Sequence, residues 1–184
     1  TLAETASVFG EQLTFRAMLD AEDDPARKRV LLAGKVEDML NTVVRQIAFH
    51  EFETVVHAER QNGELSAERI GDIWMETQTR SLGPVFNFDD DYRMLWAYVP
   101  HFIHVPFYVY AYAFGDCLVN ALYAVFQDGH PGFQAKYLDM LSQGGAMHHK
   151  ELLAPFGLDA SDPGFWKKGL GVVSGFIDEL EEAL

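Results

Sequence analysis

The amino-acid sequence predicts an all-α fold, and three observations carry that prediction. Apolar residues recur every three to four positions through each long segment. Helix-starting and helix-stopping residues stand at the borders of those segments. No stretch alternates apolar and polar side chains with the period of two that a half-buried strand requires.

The elements follow in chain order. Leu2, Ala6, Phe9, Leu13 and Ala17 recur at helical spacing and predict a helix over Thr1 to Leu19. Asp24 before Pro25 reads as an N-cap followed by a first-turn proline. A long helix is expected from Pro25 to Gln61, with Gly34 as its bend and Asn62-Gly63 as its stop. Ser66 caps the next helix, which Ile70, Ile73, Trp74 and Thr77 carry towards Arg80. Gly83 to Tyr92 reads as a loop, and Trp96 to Pro106 as a short aromatic stretch interrupted by Pro100 and Pro106. Phe107 to Gln127 is apolar on most sides and is expected to be a central helix. Helices over Gly132 to Ser142, over His149 to Phe156 and from Asp162-Pro163 onwards complete the chain, with Gly144-Gly145 as a hinge-like loop. The 184 residues are expected to form a single helical unit.

Nearly half the residues are apolar and 13% are aromatic, enough for a packed core. The formal net charge of −14 argues against nucleic acid or an anionic membrane as a partner. No run of about 18 apolar residues predicts a membrane span. No basic region followed by an apolar core begins the sequence, so cytoplasm is the expected compartment. The lone Cys117 sits in an apolar run and is expected to be buried and inert. A sequence that starts at Thr1, already inside a helical pattern, is expected to be part of a longer protein.

Four groups of residues invite a chemical reading. His50 and Glu51 open like a zinc-peptidase helix, which needs a second histidine four residues after the first. Thr54 stands there instead. His57 is seven residues on, about 10 Å along the axis, too far for one ion to take both. The run Asp89-Asp90-Asp91 lacks the spacing and glycine of a calcium loop and reads as a cap for the helix at Tyr92. His148-His149 is a neighbouring pair after a glycine-rich loop, a weak ligand signal. The segment Val99 to Gly115 is the most informative. Two histidines, His101 and His104, precede three tyrosines, Tyr108, Tyr110 and Tyr112. Buried phenol hydroxyls without partners are costly. Phenol and imidazole donors held by a helix suit a site that stabilises an oxyanion, and a plain aromatic packing stripe is the alternative.

Four pieces of the chain, in order, resemble the oligoendopeptidase F branch of the thimet-oligopeptidase family of zinc peptidases. They are Ala3-Glu4-Thr5-Ala6-Ser7 with Phe9 and Glu11; then Phe49, Glu51-Phe52-Glu53 and Val56-His57. Next come Trp96 to Pro100 with His101-Phe102 and Pro106-Phe107-Tyr108-Val109-Tyr110, and last Gly144-Gly145 with Asp162-Pro163-Gly164-Phe165-Trp166. The resemblance implies a zinc metalloendopeptidase of short oligopeptides, of which these residues are the C-terminal part of the catalytic domain. It implies that Glu4 is the third protein ligand of the zinc and that Tyr110 donates to the oxyanion. His101, with His104, would sit on a loop over the substrate, and Tyr108 would contact it too. The chain departs from the family at Ile103, where a tyrosine follows His-Phe in many relatives, and His104 would compensate. The family's His-Glu-x-x-His does not occur in these 184 residues. By itself the chain is therefore expected to hold no catalytic zinc and to cleave nothing. A homodimer, or association with the missing N-terminal part, is the expected assembly. The alternative is a non-catalytic helical module whose aromatic stripe binds a partner helix.

Overall fold

Capping chemistry starts the helices where the sequence places it. Ser66 accepts from the Arg69 amide, Asp89 from the Tyr92 amide, and Asp162 from the Gly164 amide one residue after Pro163. Glycines end them in conformations that other residues avoid: Gly83 has φ +61° and Gly157 φ +70°. The computed structural model describes residues 5–184, all helix, turn and loop with no strand among them. In order they are α1 (Thr5–Ala21), α2 (Pro25–Leu40), a π-helical turn (Asn41–Arg45), α3 (Gln46–Arg60), α4 (Ala67–Leu82), and 3-10 segments at Gly83–Val85 and Asp90–Tyr98. Then follow α5 (His101–His104), α6 (Tyr110–Gln127), α7 (Phe133–Gln143), α8 (His149–Leu153) with a 3-10 turn at Ala154–Phe156, and α9 (Pro163–Glu182).

Two expectations need correction. The long helix from Pro25 is continuous to Arg60, but Gly34 lies in regular α-helix and the irregularity is the π turn at Asn41–Arg45. That turn holds Thr42, Val43 and Val44 in a row, β-branched residues that crowd the preceding turn. The helix expected from Phe107 begins instead at Tyr110, because Phe107 has φ +60°, the only positive φ of a non-glycine among the described residues.

The chain divides into two compact units. One comprises the described residues up to Met39 together with Phe114–Leu184. The other is Leu40–Ala113.

In the first unit, the five consecutive residues Leu118 to Leu122 of α6 all have 0% exposure. Successive helical residues are 100° apart, so burial of five in a row makes α6 a helix enclosed on every side. Phe9 of α1 packs on Tyr137 and Phe133 of α7, with ring centroids 4.6 and 5.7 Å away. A second cluster gathers Leu19, Leu32, Val36 and Met39 with Val173 and Phe176 of α9. Gly169 of α9 lies so close to the Cys117 carbonyl that a Cβ there would overlap it. Asn120 is polar in this apolar centre and is satisfied on both sides. It accepts from Gln12 Nε2 at 2.5 Å and donates to Asp116 Oδ2 at 2.8 Å. Burial pushes the Asp116 carboxyl up to about 6, against the pull of Lys35 and of the Asn120 hydrogen bond. The Cys117 thiol is buried, and desolvation, helped by Asp116, pushes it up to about 12, as an inert thiol requires.

The second unit is built on aromatic packing. Trp74 of α4 is fully enclosed, with Phe52 and Phe49 of α3 at 5.3 and 5.4 Å. Phe102 of α5 reaches Phe52 at 4.9 Å and Phe49 at 5.5 Å, so α5 is anchored through its second residue. Arg69 pairs with Glu59, and Arg93 with Asp72, at the rim.

Candidate functional site

The site candidates of the second unit lie on α5, the turn after it and the first residues of α6. Phe102 and Val109 point into the aromatic core and hold this segment at both ends. The residues between them turn outward. Tyr108 among them is 43% exposed, and Tyr110, just beyond Val109, is 45% exposed. His104, at the end of α5, is exposed as well. The loop expected around the two histidines is a single helical turn.

The hydrogen bonding orients one histidine. His101 Nε2 lies 3.0 Å from the Tyr112 hydroxyl. The His101 ring runs parallel to that of Tyr108, 6.4 Å between centroids, and Tyr112 stands edge-on to Tyr108 at 5.5 Å. The structure thus brings His101, Tyr108 and Tyr112 into one cluster. Tyr110 points elsewhere, with its ring 5.9 Å from that of His50 on α3.

Four residues to which the sequence assigned no role in the site, Phe107, His50, Glu53 and His57, complete the arrangement. Phe107 seats its ring between two histidines of α3, 4.6 Å from His57 and 6.3 Å from His50. Its backbone N–H donates to Glu53 Oε1 at 2.8 Å. Glu53 is 1% exposed, and its Oε2 is buried without a hydrogen-bond partner. Holding a phenylalanine in the left-handed region costs about 1–2 kcal/mol, comparable to what one hydrogen bond to a buried carboxyl returns. His50, Glu53 and His57 are spaced three and four residues apart, so all three lie on one helical face. That spacing was legible; its target was not. The face that fails as a zinc motif holds residue 107.

In the first unit, a cavity of about 710 Å³ is lined by Thr5, Ala6, Gly144, Gly145, His148 and His149 among others. The two histidine rings are 4.0 Å apart, and His148 Nδ1 caps α8 by accepting from the Lys150 amide at 3.4 Å. Glu4, expected as a zinc ligand, lies outside the described residues. Among the described residues no group of three or more His, Cys, Asp or Glu side chains is gathered as a metal ion needs. By themselves they do not gather the ligand set that a catalytic zinc needs.

Comparison with known proteins gives this geometry its context. The model of peptidase family M3 matches residues 1–172. The chain is 29% identical to oligopeptidase PepF of Bacillus subtilis over 185 residues, covering all of this chain and 27% of that protein. It is 25% identical to an oligoendopeptidase F homolog of Borreliella burgdorferi, covering 98% of this chain and 30% of that one. The chain thus spans less than a third of the length of these curated relatives. The crystal structure of oligoendopeptidase-F from Enterococcus faecium superposes with a TM-score of 0.88 at 27% identity, over 99% of this chain and 35% of that one. The crystal structure of a putative peptidase from Chlamydophila abortus gives 0.89 at 28% identity, over 100% of this chain and 31% of that one. With a family match running through both units and the same helical fold in these solved structures, the chain belongs to peptidase family M3.

Proposed function

We propose that these residues are the C-terminal part of the catalytic domain of a zinc metalloendopeptidase that hydrolyses short oligopeptides. Residues 1–184 act in it as one helical unit, and the family match across both compact units supports this. The observation that carries the reading is the set of donors around the α5–α6 turn, exposed His104, Tyr108 and Tyr110 with half-buried His101, beside an aromatic core.

Peptide hydrolysis gathers negative charge on the carbonyl oxygen as the carbon becomes tetrahedral. A phenol donor fixed at that position before the reaction stabilises the transition state more than the ground state. Tyr110 fills this role, and His101, oriented by Tyr112, is the second catalytic residue. His104 and Tyr108 bind the peptide backbone beside them. In the full-length enzyme Glu4 would be a zinc ligand, completed by histidines from outside these residues. The chain alone holds no catalytic zinc and cleaves nothing. It works in the cytoplasm, as a homodimer or associated with the rest of its catalytic domain.

The test is peptide cleavage by the full-length protein and by its Tyr110→Phe variant, with a quenched peptide of about ten residues. Cleavage that depends on Tyr110 supports the proposal, and a fully active variant overturns the assignment of Tyr110.

A further inference from the structure

We infer that Glu53 is a positioning residue for catalysis: by accepting the Phe107 N–H, it locks the turn that sets Tyr108 against His101 and Tyr110 beside His50. This rests on the peptidase reading, since it names what holds that site in register. The contact is direct, Phe107 N–H to Glu53 Oε1 at 2.8 Å. The acceptor sits at 1% exposure in the middle of α3, a helix fixed by the Phe49, Phe52 and Trp74 packing. The donor is the one described non-glycine residue with positive φ.

Position 107 governs the site because of where it falls in the chain. His101 and His104 precede it on α5, and Tyr108 and Tyr110 follow it. After Phe107 the backbone turns immediately: the Tyr108 amide donates to Val105 at 3.3 Å and the Ala111 amide to Tyr108 at 2.9 Å, opening α6. If φ at 107 reverted to the usual negative range, the chain direction between the histidines and the tyrosines would change. Two further contacts grip the same residue, the rings of His50 and His57 on its side chain. The carboxyl holds the backbone, which decides φ; the two imidazoles hold the ring, which decides only the rotamer.

The role needs an acceptor rather than a charge, so glutamine suffices and alanine does not. In the full-length protein, Glu53→Ala is expected to lower kcat about tenfold or more with KM changed by less than about threefold, since a misplaced transition-state donor costs rate rather than binding. Glu53→Gln is expected to recover most of the rate. Hydrogen exchange at the Phe107 amide reads the contact without reference to activity: slow in the native protein and in Glu53→Gln, fast in Glu53→Ala. A native rate in Glu53→Ala, or equally fast exchange at Phe107 in all three proteins, overturns the inference. Should Glu53→Ala fail to fold, slow Phe107 exchange and near-native kcat in Glu53→Gln support it, and fast exchange or a tenfold loss there overturns it. If the native protein cleaves no peptide, the peptidase reading falls, while the exchange rates still decide whether Glu53 holds this turn.

Discussion

His101 Nε2 and the Tyr112 hydroxyl lie 3.0 Å apart, a hydrogen bond between the first residue of α5 and the third of α6. It spans the turn that carries the candidate donors and fixes the direction of one imidazole. Removing the hydroxyl by Tyr112→Phe is expected to lower kcat/KM of the full-length protein roughly five- to tenfold, about the worth of one hydrogen bond. Stability should change by no more than about 1 kcal/mol, because Tyr112 is half-buried and keeps its ring packing. Steady-state kinetics beside a denaturation curve separates the two.

Tyr110 is expected to be the more costly position. Tyr110→Phe removes the proposed oxyanion donor and keeps the ring beside His50, so kcat should fall about a hundredfold or more with KM nearly unchanged. Single-turnover kinetics on a short peptide checks it.

The buried Asp116 predicts a pH dependence of stability. Its carboxyl is raised from 3.8 to about 6 on folding, so the folded chain binds a proton more tightly than the unfolded one. The stabilisation that this proton brings is complete below about pH 4 and is lost as pH rises through about 6. Asp116→Asn keeps an acceptor for Asn120 without the charge and should flatten that slope, gaining about 2 kcal/mol at pH 7. Guanidinium unfolding midpoints at pH 4 and 7 for both proteins measure the difference.

Gly169 is irreplaceable for steric reasons. Any Cβ there meets the backbone carbonyl of Cys117, which cannot move without shifting α6. Gly169→Ala is expected to destabilise by about 3 kcal/mol, read as a lower unfolding midpoint. Gly171, with open space around it, tolerates the same change and serves as the control.

Cys117 should ignore thiol reagents while the protein is folded. With its pKa near 12, only about one molecule in ten thousand carries the thiolate at pH 8, and that one is enclosed. Labelling by a maleimide should appear only with denaturant.

The amino-acid sequence by itself determined the helical class, most of the helix borders and the residue types of the site. Those properties are local. Caps, prolines and glycines act within one turn, and the three-to-four spacing of Ile73, Trp74 and Thr77 names the buried face before any partner is known. The π turn at Asn41–Arg45 and the start of α6 were not legible, because apolar periodicity runs through both and a β-branched run alone does not select a π turn. Only the tertiary structure decided that Tyr108 and Tyr110 face outward, that His101 meets Tyr112, and that Phe107 is left-handed. The physical reason is distance along the chain. A phenylalanine at φ +60° is unfavourable on its own, and what offsets the cost is a carboxyl 54 residues earlier, buried on another helix, which no local pattern around Phe107 reveals.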